Sequence, residues 1–183
     1  MVLWIIIIIA SVLIDQGTKL LISNMFELGE THVLIKGVLN FTYIRNEGAA
    51  WGMLSNSRWV FIVITAVMLI VLPIVLYKYR KLHFLFGFSL SLIIGGAIGN
   101  MIDRVFQGSV VDFIQAAFID FPIFNFADCC VTVGAALMFI YLVFIDKTLF
   151  RSKKDEEKPA KATEAESALN TEVKNENNGD TEQ

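Results

Sequence analysis

Histidine is nearly absent from this chain: its 183 residues hold two, His32 and His83. With no His-Glu-x-x-His pair, zinc-protease chemistry is excluded. Cysteine is equally scarce, two residues that are neighbours, Cys129 and Cys130. Adjacent cysteines strain any disulfide between them. Neither has a basic sequence neighbour to favour a thiolate, so both read as plain buried thiols. Gly108-Ser109 lacks a histidine partner suited to a serine mechanism. With 12 glycines and 3 prolines, collagen-like composition is also excluded. Charge is low, 18% of residues, where a soluble domain carries roughly 25%. No basic stripe suggests nucleic-acid binding.

What the chain has instead is apolar length: 55% of its residues are hydrophobic. A membrane span needs about 20 apolar residues. Four segments qualify: Val2–Ile22, Trp59–Tyr77, Phe84–Ile102 and roughly Phe124–Ile145. The first lacks a charged n-region and a small-residue cleavage site before Lys19, so it reads as a retained helix. Lys78, Arg80 and Lys81 lie between spans two and three, and Lys147, Arg151, Lys153 and Lys154 follow span four. The positive-inside rule then places both termini in the cytoplasm and residues 23–58 and 105–123 outside. Within 33–44, Leu39, Phe41 and Tyr43 alternate with Asn40 and Thr42, a strand signal for a small outer β-sheet. The expected fold is therefore an α-helical integral membrane protein of four transmembrane helices with a small extracytoplasmic β-sheet and loop. Residues 1–150 form the membrane domain, with its β-rich segment at about 23–58. Residues 151–183 hold six basic and nine acidic side chains and read as a disordered polar cytoplasmic tail.

Ionisable groups in lipid are costly and mark function by default. Here they gather at one depth. Asp15 and Lys19 come late in the outward-running first span, and Asn100, Asp103 and Arg104 late in the third. Asn125 and Asp128 come early in the inward-running fourth, and Asp112 lies just outside. Asp15 and Lys19 stand at i,i+4, Asn100 at i,i+3 and i,i+4 from Asp103 and Arg104, and Asn125 at i,i+3 from Asp128, so each set shares a helix face. Gly95 and Gly99 form a small-xxx-small pair for close packing. With histidine, serine and cysteine chemistry set aside, the remaining catalytic groups are aspartates. Two carboxylates sharing one proton can activate water and protonate a leaving amine. The helix dipole favours ionised Asp128. For the second carboxylate the residues leave Asp112 and Asp103 open. Arg104 beside Asp103 suggests an ion-paired structural role, and the apolar neighbours of Asp112 favour its neutral form.

Five segments carry a resemblance. They are Asp15-Gln16-Gly17-Thr18-Lys19, Arg45-Asn46-Glu47-Gly48-Ala49-Ala50-Trp51-Gly52, Gly95-Gly96-Ala97-Ile98-Gly99-Asn100-Met101-Ile102-Asp103-Arg104, Val110-Val111-Asp112-Phe113 and Phe124-Asn125-Phe126-Ala127-Asp128. In order and spacing they resemble the motifs of the lipoprotein signal peptidases (signal peptidase II), bacterial aspartic intramembrane proteases. The resemblance implies removal of the signal peptide from diacylglyceryl-modified prolipoproteins, before the lipidated lipobox cysteine. It implies Asp112 and Asp128 as the catalytic dyad. Asn46, Gly48, Asn100, Asp103, Arg104, Asn125 and Ala127 would support the dyad or hold substrate, and Asp15 and Lys19 would form a structural pair near the outer sheet. It further implies no metal or cofactor, inhibition by globomycin-type cyclic peptides, a monomer in membrane lipid, and a bacterial cytoplasmic membrane location with the site near the outer surface.

Blander roles are expected elsewhere. Trp51, Trp59 and Tyr43 read as interfacial anchors, Glu47 and Asp120 as solvated loop charges, and Gly95/Gly99 as packing. Gly48 and Gly52 flank a segment, 45–58, that could close as a lid with Trp51 over the site. Two other function classes are weaker. A coupled transporter would show an internal repeat and midplane polar groups. A membrane chaperone would have no need for paired carboxylates.

Overall fold

The computed structural model describes residues 1–48, 58–79, 81 and 83–146. Trp51, Gly52 and residues 49–57 of the segment read as a lid lie outside the described residues, as do Arg80, Lys147, Arg151, Lys153, Lys154 and the tail. The chain divides into two units, Met1–Tyr141 and Leu142–Gln183. Of the second, only Leu142–Asp146 is described, the end of a π-helical turn over Tyr141–Ile145.

Four helices are long and apolar enough to cross a membrane. Helix α1 is Val2–Met25, α2 is Arg58–Lys78, α3 is Phe84–Phe106, and α4 is Phe126–Ile140 within a span reaching Ile145. All four expected spans are present, with shifted ends. Helix α3 continues past Ile102 through Asp103 and Arg104 because both side chains find partners. Helix α4 begins at Phe126 because Asn125 caps it. The Asn125 side chain accepts from the Asp128 backbone N–H, while the Asp128 carboxylate accepts from that of Asn125. Pro73 sits inside α2, as transmembrane helices tolerate.

Helix α3 is the central element. Its buried residues include Leu90, Ile94, Gly95, Gly96, Gly99 and Asp103. Helix α1 buries Trp4, Ser11, Asp15, Lys19 and Ile22, one stripe at intervals of three, four and seven residues. Its other faces are apolar and exposed, as a lipid-facing helix requires: Ile5, Ile9, Leu13 and Leu20 are open. Gly95 and Gly99 admit α1 and Gly96 admits α4. A Cβ on Gly95 would meet the Ser11 Cβ at 2.7 Å, on Gly96 the Ala127 carbonyl oxygen, and on Gly99 the Asp15 carboxylate. The glycines thus bring polar groups of three helices to one point, which is more than lipid-phase packing.

The sheet is antiparallel in the order β1 (Thr31–Ile35), β2 (Leu39–Asn46), β3 (Val110–Ala116). A small sheet was expected from residues 33–44. The third strand was not, because Asp112 interrupts an apolar, β-branched run. Strand β3 follows α3 through a turn in which Gly108 has φ +80°, the left-handed region open to glycine. Pairing of Ile44 with Asp112 and Asn46 with Val110 brings Asn46 beside Asp112. Tyr43 is not an interfacial anchor. It is buried with Ile22, Val111 and Phe113, and its hydroxyl accepts from Arg45 Nε at 2.9 Å. Its strand position faces the α1 end, so its ring joins the small core instead of lipid. Trp59 is exposed beneath the Arg58 guanidinium.

The glycine seam makes a direct prediction. Gly99→Ala forces a methyl group into the Asp15 carboxylate, a cost of roughly 1–3 kcal/mol. It should lower the melting temperature of the detergent-solubilised protein by several degrees. Gly17→Ala is the control, since a Cβ there has nothing within 4 Å. An unchanged melting point for Gly99→Ala would show that α1 and α3 separate without cost.

Candidate active site

Glu47 and Asp120 are exposed, whereas Asp15, Lys19, Asn46, Asn100, Asp103, Asp112, Asn125 and Asp128 converge on one network. At its inner end is Lys19, 3% exposed. The ammonium group lies 2.9 Å from Asp15 Oδ2 and 3.0 Å from Asp103 Oδ2, and donates to Asn100 Oδ1 at 2.9 Å. Three acceptors from two helices match its three N–H donors. Asp15 and Lys19 therefore form more than a pair. Breaking such a buried arrangement by removing one member costs about 3–5 kcal/mol.

The two anions in turn hold backbone. Asp15 Oδ1 accepts from the Ala127 N–H at 2.9 Å, fixing the start of α4 against α1. Asp103 Oδ2 accepts from the Val111 N–H at 3.1 Å, fixing β3 to α3. Gln16 Nε2 lies 3.1 Å from Asp15 Oδ2, from Asp103 Oδ1 and from the Gly99 carbonyl oxygen. Nothing uncharged at that position signalled a role from sequence beyond its place in a motif.

Asp103 and Arg104 do not pair with each other. Consecutive residues on a helix point about 100° apart. Asp103 turns to Lys19 and β3. Arg104 turns into a cavity, where its guanidinium stacks 5.0 Å from the Phe61 ring centroid and donates to the Asn100 carbonyl at 3.4 Å.

At the outer end of the network stand two more carboxylates. Asp128 Oδ1 accepts from Asn100 Nδ2 at 2.7 Å, and Oδ2 from the Asn125 backbone N–H at 3.1 Å. Asp112 Oδ1 accepts from Asn125 Nδ2 at 2.6 Å, and Oδ2 from Asn46 Nδ2 at 2.9 Å. Asn125 Nδ2 also donates to Asn100 Oδ1 at 3.1 Å. Asn125 thus touches both carboxylates, Asp112 through its side chain and Asp128 through the capping box. Asn46 in turn accepts from the Gly48 N–H at 3.0 Å, which holds its amide toward Asp112. Among the described residues no buried side-chain nitrogen or oxygen lacks a partner.

Asp112 is 2% exposed. Burial raises its pKa to about 6, and the nearby Asp128 charge adds to the rise, against the lowering effects of the Asn46 and Asn125 hydrogen bonds and the Lys19 charge. An ordinary aspartate keeps its proton only below about pH 4. Burial thus lets Asp112 hold a proton closer to neutrality than an ordinary aspartate does.

A cavity of about 540 Å³ opens beside the pair. Its polar wall is Asn46, Asn100, Arg104, Asp112 and Asp128. Its apolar wall is Phe61 from α2, Phe121 to Phe124 from the segment before α4, and Val133 of α4, with Cys129 and Thr132 between. The apolar wall was not found from sequence, since such residues are indistinguishable from lipid-facing ones without the packing. Of the expected site residues, Asn46, Gly48, Asn100, Arg104, Asp112 and Asp128 line the cavity. Asn125, Ala127, Asp103, Asp15 and Lys19 stand behind it.

The sequence model described as Signal peptidase (SPase) II matches residues 7–144. A lipoprotein signal peptidase of Anoxybacillus flavithermus is 48% identical over 132 residues, 71% of this chain and 79% of that protein. One from Lactobacillus gasseri is 40% identical over 146 residues, 80% of this chain and 95% of that protein. A bacterial membrane enzyme solved by the in meso method at 2.3 Å resolution superposes with a TM-score of 0.75 at 37% identity, over 84% of this chain and 93% of that one. The family match covers well over half of the chain and contains α2, α3 and the whole sheet, so the chain belongs to the signal peptidase II family.

Proposed function

We propose that this multi-pass membrane protein removes the signal peptide from diacylglyceryl-modified prolipoproteins, cutting on the amino side of the lipidated cysteine, with Asp112 and Asp128 as an aspartate dyad. The observation that carries the reading is the placement of these two carboxylates, joined through Asn125, on the polar wall of a cavity whose other wall is apolar. A lipid-anchored peptide has the same two-sided character.

In this mechanism ionised Asp128 takes a proton from water as the oxygen attacks the scissile carbonyl carbon. Protonated Asp112 gives its proton to the carbonyl oxygen, forming a gem-diol. On collapse the C–N bond breaks. Asp128 returns its proton to the departing cysteine amine, and Asp112 regains one from a diol hydroxyl. One water is consumed and the dyad is restored. Asn100 and the Asn125 N–H hold Asp128, while Asn46 and Asn125 hold Asp112. Arg104 faces the Asp128 and Asp112 charges and is placed to bind the substrate backbone.

Lys78 at the end of α2 and Lys81 after it support the cytoplasmic assignment of that loop and of both termini. The dyad then lies near the extracytoplasmic face of the bacterial cytoplasmic membrane, where water reaches a partly dry site. We assign catalysis to residues 1–150, working as a monomer in lipid, and treat globomycin-type peptides as occupants of the same cavity. The family match ends at residue 144, so removal of 151–183 should leave turnover within about twofold of the full chain, measured on the same substrate. A large loss would make the tail part of the enzyme.

The central test uses purified protein in detergent with a diacylglyceryl-modified prolipoprotein, scored by gel shift. Asp112→Asn and Asp128→Asn should each lower kcat by about 10³-fold or more. Asp103→Asn should retain measurable turnover with reduced thermal stability. Cleavage surviving Asp112→Asn and lost in Asp103→Asn would move the dyad.

The pH dependence follows from the direction of the Asp112 shift. Its native pKa lies above the unfolded value, so the native state holds the proton more tightly. This carboxyl's contribution to stability falls as pH rises from about 4 to about 6 and is constant above that. Activity needs the singly protonated dyad, so kcat/KM should decline above an apparent pKa near 6. Asn46 lowers the Asp112 pKa, so Asn46→Ala should move that alkaline limb upward. A limb that stays in place would separate Asp112 from the proton-donating role.

A further inference from the structure

Lys19 is placed to do more than tie α1 to α3. Its ammonium has no contact with either carboxylate of the proposed dyad, yet it touches the side chain that reaches both of their supports. Lys19 Nζ donates to Asn100 Oδ1 at 2.9 Å. An asparagine amide has one acceptor end and one donor end. Fixing the oxygen toward Lys19 turns the nitrogen toward Asp128 Oδ1, 2.7 Å away. With the amide reversed, an oxygen would face the Asp128 carboxylate and a nitrogen would face an ammonium, two repulsive contacts in place of two charge-assisted hydrogen bonds. The same Asn100 oxygen accepts from Asn125 Nδ2 at 3.1 Å, and that nitrogen donates to Asp112 Oδ1 at 2.6 Å. One cation thereby sets the direction of the Asn100 amide, whose nitrogen donates to Asp128 and whose oxygen receives the Asn125 amide that donates to Asp112.

We infer that Lys19 is a positioning residue of the peptidase reaction, acting through the Asn100 amide to hold Asp128 and Asp112 in their working orientation. The inference rests on the dyad assignment above. The remaining charges around Lys19 fit this role. Asp15 from its own helix and Asp103 from α3 sit at 2.9 and 3.0 Å and leave the ammonium a single remaining direction, toward Asn100. Asp15 and Asp103 are committed to the Ala127 and Val111 backbones, so the cation they hold is referenced to α4 and β3, the elements that carry Asp128 and Asp112. A cation needed only for helix packing would be satisfied by its two carboxylates.

A double-mutant cycle between Lys19→Met and Asn100→Ala, with kcat, KM and melting temperature measured for each, tests this. Each single variant should lose about 10²-fold in kcat, the scale of a misplaced catalytic group, with KM within about threefold. The double variant should lose the same 10²-fold, because both changes break one unit. Losses that multiply toward 10⁴-fold would overturn the inference, as would a Lys19→Met enzyme with a lowered melting point and kcat within threefold of wild type. Lys19→Met leaves two buried carboxylates without their cation. Lys19→Met/Asp15→Asn removes one of those charges and supplies the folded sample if the single variant does not fold. Its kcat must fall by the same factor, and recovery to within threefold of wild type would also refute the role. Asp112→Asn and Asp128→Asn run in the same assay. If either retains activity, the dyad reading fails, whatever the cycle shows.

Discussion

Charge compensation at the edge of the hydrocarbon phase is the constraint on which this structure depends. Four carboxylates and two cations from three helices and one strand lie within one connected network. Uncompensated, such groups cost several kcal/mol each in a medium of low dielectric. Lys19 neutralises part of the charge on Asp15 and Asp103 directly. Arg104 is acted on by the charges of Asp128, Asp112 and Asp103, the first two across the cavity. Two cations cannot balance four anions, so the least costly state retains a proton on one carboxylate. Asp112 has the environment to keep it: burial is the largest influence on its pKa, and the nearby Asp128 anion acts in the same direction. The shared proton that the proposed dyad needs is in this view a consequence of the fold's charge balance.

Satisfying that many polar groups demands short distances between backbones, and here the glycines of α3 enter the chemistry. Asp15 reaches the Ala127 N–H only because α1 lies against Gly95 and Gly99, and α4 against Gly96. In lipid, helices gain little from hydrophobic association, so close van der Waals contact and interhelical hydrogen bonds carry the packing. The seam and the network therefore need each other. The glycines supply proximity, and the Asp15, Asp103 and Lys19 contacts supply the attraction that holds helices at that distance.

Much of this was legible in the residues. Long apolar runs gave the four helices, and the gathering of Asp15, Lys19, Asn100, Asp103, Arg104, Asn125 and Asp128 at a single depth anticipated the polar network they form, because polar groups cannot lie scattered in hydrocarbon. Helical spacing grouped Asp15 with Lys19 and Asn125 with Asp128 as the structure does, but it put Asp103 and Arg104 on one face, and their side chains turn apart. It could not say which groups meet across helices. Asp103 looked paired with Arg104, its neighbour in sequence, and is paired with Lys19 instead. Tyr43 looked like an interfacial anchor because its burial depends on a third strand, and that strand was hidden by Asp112 within an apolar run. Gln16 carries no charge, and the cavity wall of Phe61, Phe124 and Val133 has the composition of any lipid-facing surface. These are tertiary facts, set by how α3 is surrounded.

The asparagines show why the site is ordered before substrate arrives. A carboxylate dyad in water would be held by mobile solvent, which must reorganise as charge moves during reaction. Here each of the four carboxylate oxygens accepts from a nitrogen whose own position is fixed: Asn46 by the Gly48 N–H, Asn100 by Lys19, Asn125 by the start of α4. Amides suit this duty better than cations would. An arginine or lysine placed directly on Asp112 would hold it ionised and abolish the shared proton, whereas a neutral donor orients the carboxyl and perturbs its protonation far less. The cations are accordingly kept one residue back, Lys19 behind Asn100, while Arg104 faces the cavity. Separating orientation from charge in this way lets a buried pocket hold two carboxyls in fixed geometry, the preorganised arrangement that the proposed hydrolysis requires.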